Sequence, residues 1–164
     1  MLDIPSISAV VAAVGVLVGV ALAILELRNI TKTRQMDMLI RLYSLWGSED
    51  LQKAGWHVWS LEYEDYGDFI KKYGDVTELT PRNLGIFRTG WFFNGIGILL
   101  RKKLADIELV DDLFGYMVIW LWEAMKPIVY GERKQLKQPR SLQWFEYLYN
   151  ELQKREQQLQ QIQQ

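Results

Sequence analysis

Few residues of this chain have the types and spacing that chemistry requires. There is no cysteine and a single histidine, His57, set between Trp56 and Val58. That excludes disulfides, thiolate catalysis, and zinc or haem sites built from cysteine or several histidines. A lone imidazole on an aromatic-rich helix is expected to be a packed or surface residue rather than a base. No glycine-rich loop leads into a Lys-Ser/Thr pair, and Gly85, Gly90, Gly95 and Gly97 lack dinucleotide-loop spacing. No Glu-x-x-His pair supplies the ligands of a di-iron bundle. The best metal candidate is the acidic run Glu62, Glu64, Asp65 and Asp68, suited to Ca²⁺ or Mg²⁺. It lacks EF-hand order, so solvated loop carboxylates are the simpler expectation. Asp111 and Asp112 are neighbours on a helix, point apart, and form no dyad. The chain is therefore expected not to be an enzyme, and to need neither a cofactor nor a metal.

The elements that carry these residues begin with an apolar run. Ile7 to Leu25 contains no charged residue, and as a helix it would extend ~28 Å against a bilayer core of ~30 Å. A cleaved secretory signal is the rival, since Ala21-Leu22-Ala23 has the small-x-small form of a cleavage site. However, the preceding residues carry only the acid Asp3, and the run is longer than a usual signal core. Arg28, Lys32 and Arg34 follow the run directly, which places the N-terminus outside and the rest in the cytoplasm of an inner membrane. Asn29-Ile30-Thr31 matches a glycosylation sequon by chance, on the wrong side.

On a helical projection Ser8, Ala12, Gly15, Gly19, Ala23 and Glu26 share an arc of ~80°. Gly15-xxx-Gly19-xxx-Ala23 is a small-xxx-small pattern, the kind that lets membrane helices approach closely. The face is thus a candidate for helix packing, or for lining a pore in which Glu26 carboxylates favour cations. A plain interfacial role for Glu26 is the simpler alternative.

The remainder is helical in pattern, with no sustained two-residue alternation. Leu39, Leu42, Tyr43 and Trp46 share a face, and Gly47-Ser48 ends that helix. Ser48 is placed to cap a second helix, whose Leu51, Ala54, Val58 and Leu61 align. After the acidic break, Phe69 and Ile70 resume the pattern. Thr80-Pro81 starts a helix with the stripe Leu84, Phe87, Trp91, Gly95 and Ile98, too short to cross a membrane and expected to be central and buried. Asp106 opens another through Leu109, Leu113, Met117, Trp120 and Ala124, expected to stop between Pro127 and Gly131. Ser141 is expected to cap the last helix. There Phe145, Leu148, Leu152, Leu159 and Ile162 form a short heptad seam interrupted by Arg155, available for self-association or for packing back before a Gln-rich end. Seven tryptophans read mainly as core anchors, with membrane-surface or protein contacts as the other use.

With 164 residues and a net charge of −1, the chain offers one domain plus an appendage and no basic field for nucleic acid. The expected fold class is all-α, one N-terminal transmembrane helix followed by a compact cytoplasmic helical bundle. The divisions are 1–30 for the anchor and basic junction, 31–140 for the helical domain and 141–164 for the C-terminal helix. Arg34-Gln35, Gly97 to Lys103, Leu109 to Gly115 and Trp120 to Pro127 resemble a family of uncharacterised prokaryotic single-pass membrane proteins. That resemblance implies architecture alone. The expected function is a non-enzymatic membrane protein that self-associates through its span and carries a helical interaction or assembly domain. A homo-oligomeric cation channel is the alternative. Expected partners are membrane lipid, other copies of the chain and a protein partner.

Overall fold

A computed structural model describes residues 4–162, with side chains for 12–161. Its described residues form six helices and no strand: α1 (Ile4–Trp46), α2 (Glu49–Trp59), α3 (Tyr66–Tyr73), α4 (Pro81–Arg101), α5 (Ile107–Gln135) and α6 (Gln143–Ile162). They divide into two compact units, residues 1–38 and 39–164. Helix α6 lies in the second unit.

The first unit holds α1 as far as Met38. Its apolar stretch is the one described helix long and apolar enough to cross a membrane, and none of it is buried in protein. The helix does not break at the basic junction. Thr31 and Thr33 turn their hydroxyls back onto the carbonyls of Leu27 and Asn29, at 2.8 and 3.0 Å, so no polar group there asks for a turn.

In the second unit, Leu39 and Trp46 from the end of α1 are buried, as their spacing predicted. The core is aromatic at its centre. Phe93 lies 4.9 Å from the Trp46 ring, 5.3 Å from Phe145 and 6.2 Å from Phe114, and Trp122 closes on Phe145 at 5.0 Å. Ala54 and Val58 of α2 and Phe69 of α3 are buried too.

Several helix starts follow local chemistry. Thr80 accepts from the Asn83 amide at 3.1 Å and Asp106 from Glu108 at 2.8 Å. Others do not. Ser48 occupies the cap position of α2 but its side chain makes no capping bond; nearby, Gln52 Nε2 donates to the Trp46 carbonyl that ends α1. Ser141 does not cap α6, because Leu142 intervenes at a φ of 50°. The capping acceptor comes instead from α4: Asn94 Oδ1 accepts from the amides of Trp144 and Phe145 at 3.1 and 3.3 Å.

Helix α5 runs through Pro127 to Gln135 instead of stopping. An interior proline costs a helix ~3 kcal/mol, and burial of Met125, Ile128 and Val129 around it outweighs that at ~1.5–3 kcal/mol each. The buried faces of α4 and α5 are also turned from the large apolar stripes. Helix α5 buries Val110, Phe114, Val118, Leu121 and Trp122, with Leu113, Met117 and Trp120 only half-covered. Helix α4 buries Asn83, Gly85, Ile86, Thr89, Gly90, Phe93, Asn94, Ile96 and Gly97, leaving Leu84, Trp91 and Ile98 exposed. Small residues on its inner side admit neighbouring backbones, so bulk alone does not mark the packed face. Of the seven tryptophans, Trp46 and Trp122 are core anchors, whereas Trp56, Trp59 and Trp91 are exposed.

Candidate functional site

On the span, α1 places Ala12, Gly15, Gly19, Ala23 and Glu26 in exposed positions at helical spacing. A Cβ built on Gly15 or Gly19 would meet nothing within 4 Å, so the small-residue side is open. The side chain of Ser8 lies outside the described residues.

In the second unit a cleft of about 300 Å³ is bordered by α2, α5 and the end of α1. Trp59 lies 3.9 Å from Trp120 and 5.5 Å from Trp56, and Tyr43, Tyr116 and Met117 complete the wall. No charged side chain lines it, and Gln52 is its one amide. Such a lining suits recognition of an apolar or flat aromatic surface, not proton or phosphoryl transfer. Helical spacing sets Tyr43, Met117 and Trp120 on apolar stripes, but it leaves Trp56 and Trp59 off the α2 stripe and does not bring the three helices together.

A smaller cleft holds His57 with Asp50, Lys53 and Arg88. Lys53 is paired to Glu49 at 2.5 Å and Arg88 to Asp50 at 3.9 Å. These are exposed ion pairs of little energetic weight. The acidic run is taken up locally. Asp65 caps the Asp68 amide at 2.8 Å, and Asp68 accepts from the Glu64 amide at 3.1 Å and pairs with Lys72 at 2.9 Å. Among the described residues no group of three or more histidines and acids is placed to hold a metal. Asp111 and Asp112 diverge: Arg155 Nε donates to Asp111 at 3.0 Å and its Nη2 to Glu108 at 3.2 Å, while Asp112 is exposed. That clamp from α6 to α5 accounts for the arginine that interrupts the heptad seam.

Phe145, Leu148 and Leu152 are fully buried within the second unit, so this part of the seam is filled by the chain itself. Leu159 is partly exposed, and the Ile162 side chain lies outside the described residues. Among the described residues Glu132 is the one buried carboxylate, 7% exposed, with the Ser141 hydroxyl 3.5 Å away. Burial pushes its carboxyl above the ordinary range, opposed by the Ser141 hydroxyl and Arg133. A carboxyl raised on folding favours the fold while protonated, and that contribution is lost as pH rises through its folded value. Glu132→Gln is therefore expected to stabilise the protein at neutral pH and to converge with the parent at about pH 4 and below. Denaturant unfolding at the two pH values checks this; equal stability at neutral pH would contradict it.

The fold defines a helical module headed by one long apolar helix. The chain belongs to the DUF4760 family, a domain of unknown function whose family model matches residues 11–152. No curated protein matches it, and no solved structure does.

Proposed function

We propose that the chain is a non-enzymatic single-pass membrane protein. Its span self-associates through the Ala12, Gly15, Gly19 and Ala23 side, and its second unit stands in the cytoplasm as a helical interaction and assembly domain. The uncovered apolar length of α1 is the observation that carries this. Val16, Leu17, Val18, Leu22 and Leu25 are all exposed, and burying each is worth ~1.5–3 kcal/mol. A bilayer is the medium that recovers this. Inside lipid no hydrophobic force drives helices together, so the open small-residue side supplies the close approach. The aromatic cleft is the place on the second unit for a partner's apolar surface.

Orientation follows from Arg28, Lys32 and Arg34 after the span and Asp3 before it. Because the chain has no cysteine, one introduced thiol reports unambiguously. Ser6→Cys is expected to react with an impermeant maleimide outside intact cells, and Thr33→Cys only after permeabilisation. The reverse pattern would overturn the orientation, and outside labelling of both would overturn the anchor.

A further inference from the structure

We propose that the aromatic cleft of the second unit binds a quaternary ammonium group. This rests on the reading of the cleft as a recognition surface and names the chemistry of what it takes. Exposed aromatic side chains are concentrated there rather than scattered. Of the six among the described residues of the second unit, Tyr43, Trp56, Trp59 and Tyr116 line the cleft, and Trp91 and Tyr130 lie elsewhere. Beside them Met117 and Leu121 are the aliphatic contribution, so the wall offers π faces rather than a plain apolar surface. Trp56 and Trp59 are inclined at 38°, and Trp59 and Trp120 at 36°. Parallel walls would suit a flat ring; successive inclined faces around one concavity suit a compact, rounded group.

A π face is negative and attracts a cation within about 6 Å of its centre, most strongly where water is excluded. The methyl shell of a quaternary ammonium carries its charge on an apolar surface and asks for no hydrogen bond. Gln52 fits the same charge: its Nε2 donates to the Trp46 carbonyl at 2.9 Å, which leaves the negative end of the amide. The chain's own cations stay off these rings. Helix α2 turns Lys53 and His57 with Asp50 to the smaller cleft, and Gln52, Trp56 and Trp59 to this one. Helix α5 carries no lysine or arginine before Lys126, but carries Glu108, Asp111, Asp112 and Glu123. Arg155 takes Glu108 and Asp111, and Lys126 stands 3.9 Å from Glu123. Asp112 is exposed one turn before Tyr116. On α1, Arg41 is two residues from Tyr43 and so on the opposite side of the helix. Elsewhere the chain does place guanidinium groups on rings, Arg82 over Tyr73 at 4.5 Å and Arg133 over Tyr130 at 5.4 Å. In the cleft that place is open to a cation from outside.

The test uses the full chain in a maltoside detergent, which carries no ammonium group. Choline is the probe, and saturation transfer from the protein to its N-methyl protons reads binding. Transfer is expected, and tetramethylammonium is expected to compete for it. The neutral isostere 3,3-dimethylbutanol should compete at least about ten-fold less well. Trp59→Leu and Tyr116→Leu keep apolar bulk at exposed positions but each remove a π face, and each is expected to weaken choline binding about ten-fold. Tyr116→Phe keeps the face and Trp91→Leu lies outside the cleft, so both should bind as the parent does. Thermal unfolding is expected to be the same in all four variants. Short-chain phosphatidylcholine separates the sources: competition by it assigns a lipid headgroup, and none assigns a free solute. Absence of transfer, or transfer that survives Trp59→Leu and Tyr116→Leu together, overturns the proposal. Equal competition by 3,3-dimethylbutanol also overturns it, while leaving the cleft as an apolar recognition surface.

Discussion

Gly97→Ala is expected to destabilise the second unit by roughly 3 kcal/mol or more. A Cβ at that position would stand 1.9 Å from the Trp144 carbonyl oxygen and 2.6 Å from its carbon. These are backbone atoms, so no rotamer change relieves the clash; α6 must move off α4. Moving it would break the two bonds by which Asn94 caps α6 and would part Phe93 from Phe145, now 5.3 Å apart. Leu148 and Leu152 would lose their burial with it. Denaturant unfolding of the full chain in mild detergent, read by near-ultraviolet circular dichroism, measures the loss. Gly95→Ala is the control on the same helix, since its Cβ meets nothing. It should gain up to about 1 kcal/mol from helix propensity alone. Equal behaviour of the two variants would show that α4 and α6 do not meet as described.

The second large effect concerns the span. Gly15→Ile together with Gly19→Ile is expected to abolish close approach between copies of α1, because branched side chains would fill the space that now stands open around both glycines. The change adds apolar surface, so insertion is retained while association is lost. Ala23→Cys reads this locally: its disulfide in membranes should fall by about ten-fold or more in the Gly15→Ile, Gly19→Ile chain. An undiminished cross-link would show that Gly15 and Gly19 do not set the contact, and would contradict the proposed packing.

How much of this was legible in the sequence depends on how far each interaction reaches along the chain. The apolar run of α1 and the caps at Thr80 and Asp106 were legible, because composition and a hydrogen bond over two or three residues decide them. The buried side of α4 was not. Its partners approach through Gly85, Gly90 and Gly97, and glycine carries no apolar signal, whereas the conspicuous stripe through Leu84, Trp91 and Ile98 faces outward. The cap of α6 was illegible for a related reason. Ser141 is the local candidate, yet Asn94 supplies the acceptor from fifty residues away. Pro127 looked like a stop until the packing of Met125, Ile128 and Val129 could be weighed against it. The aromatic cleft depends on Trp56, Trp59 and Trp120 meeting across two helices, and helical period within one helix is blind to that.

Everything turns on whether the uncovered length of α1 lies in lipid. The most direct measurement is extraction of membranes carrying the full chain with alkaline carbonate, followed by mild detergent. The chain, beginning at its own N-terminal residues, should stay in the pellet through carbonate and enter solution only with detergent. Release by carbonate, or a mature chain that begins after residue 23, would contradict the account.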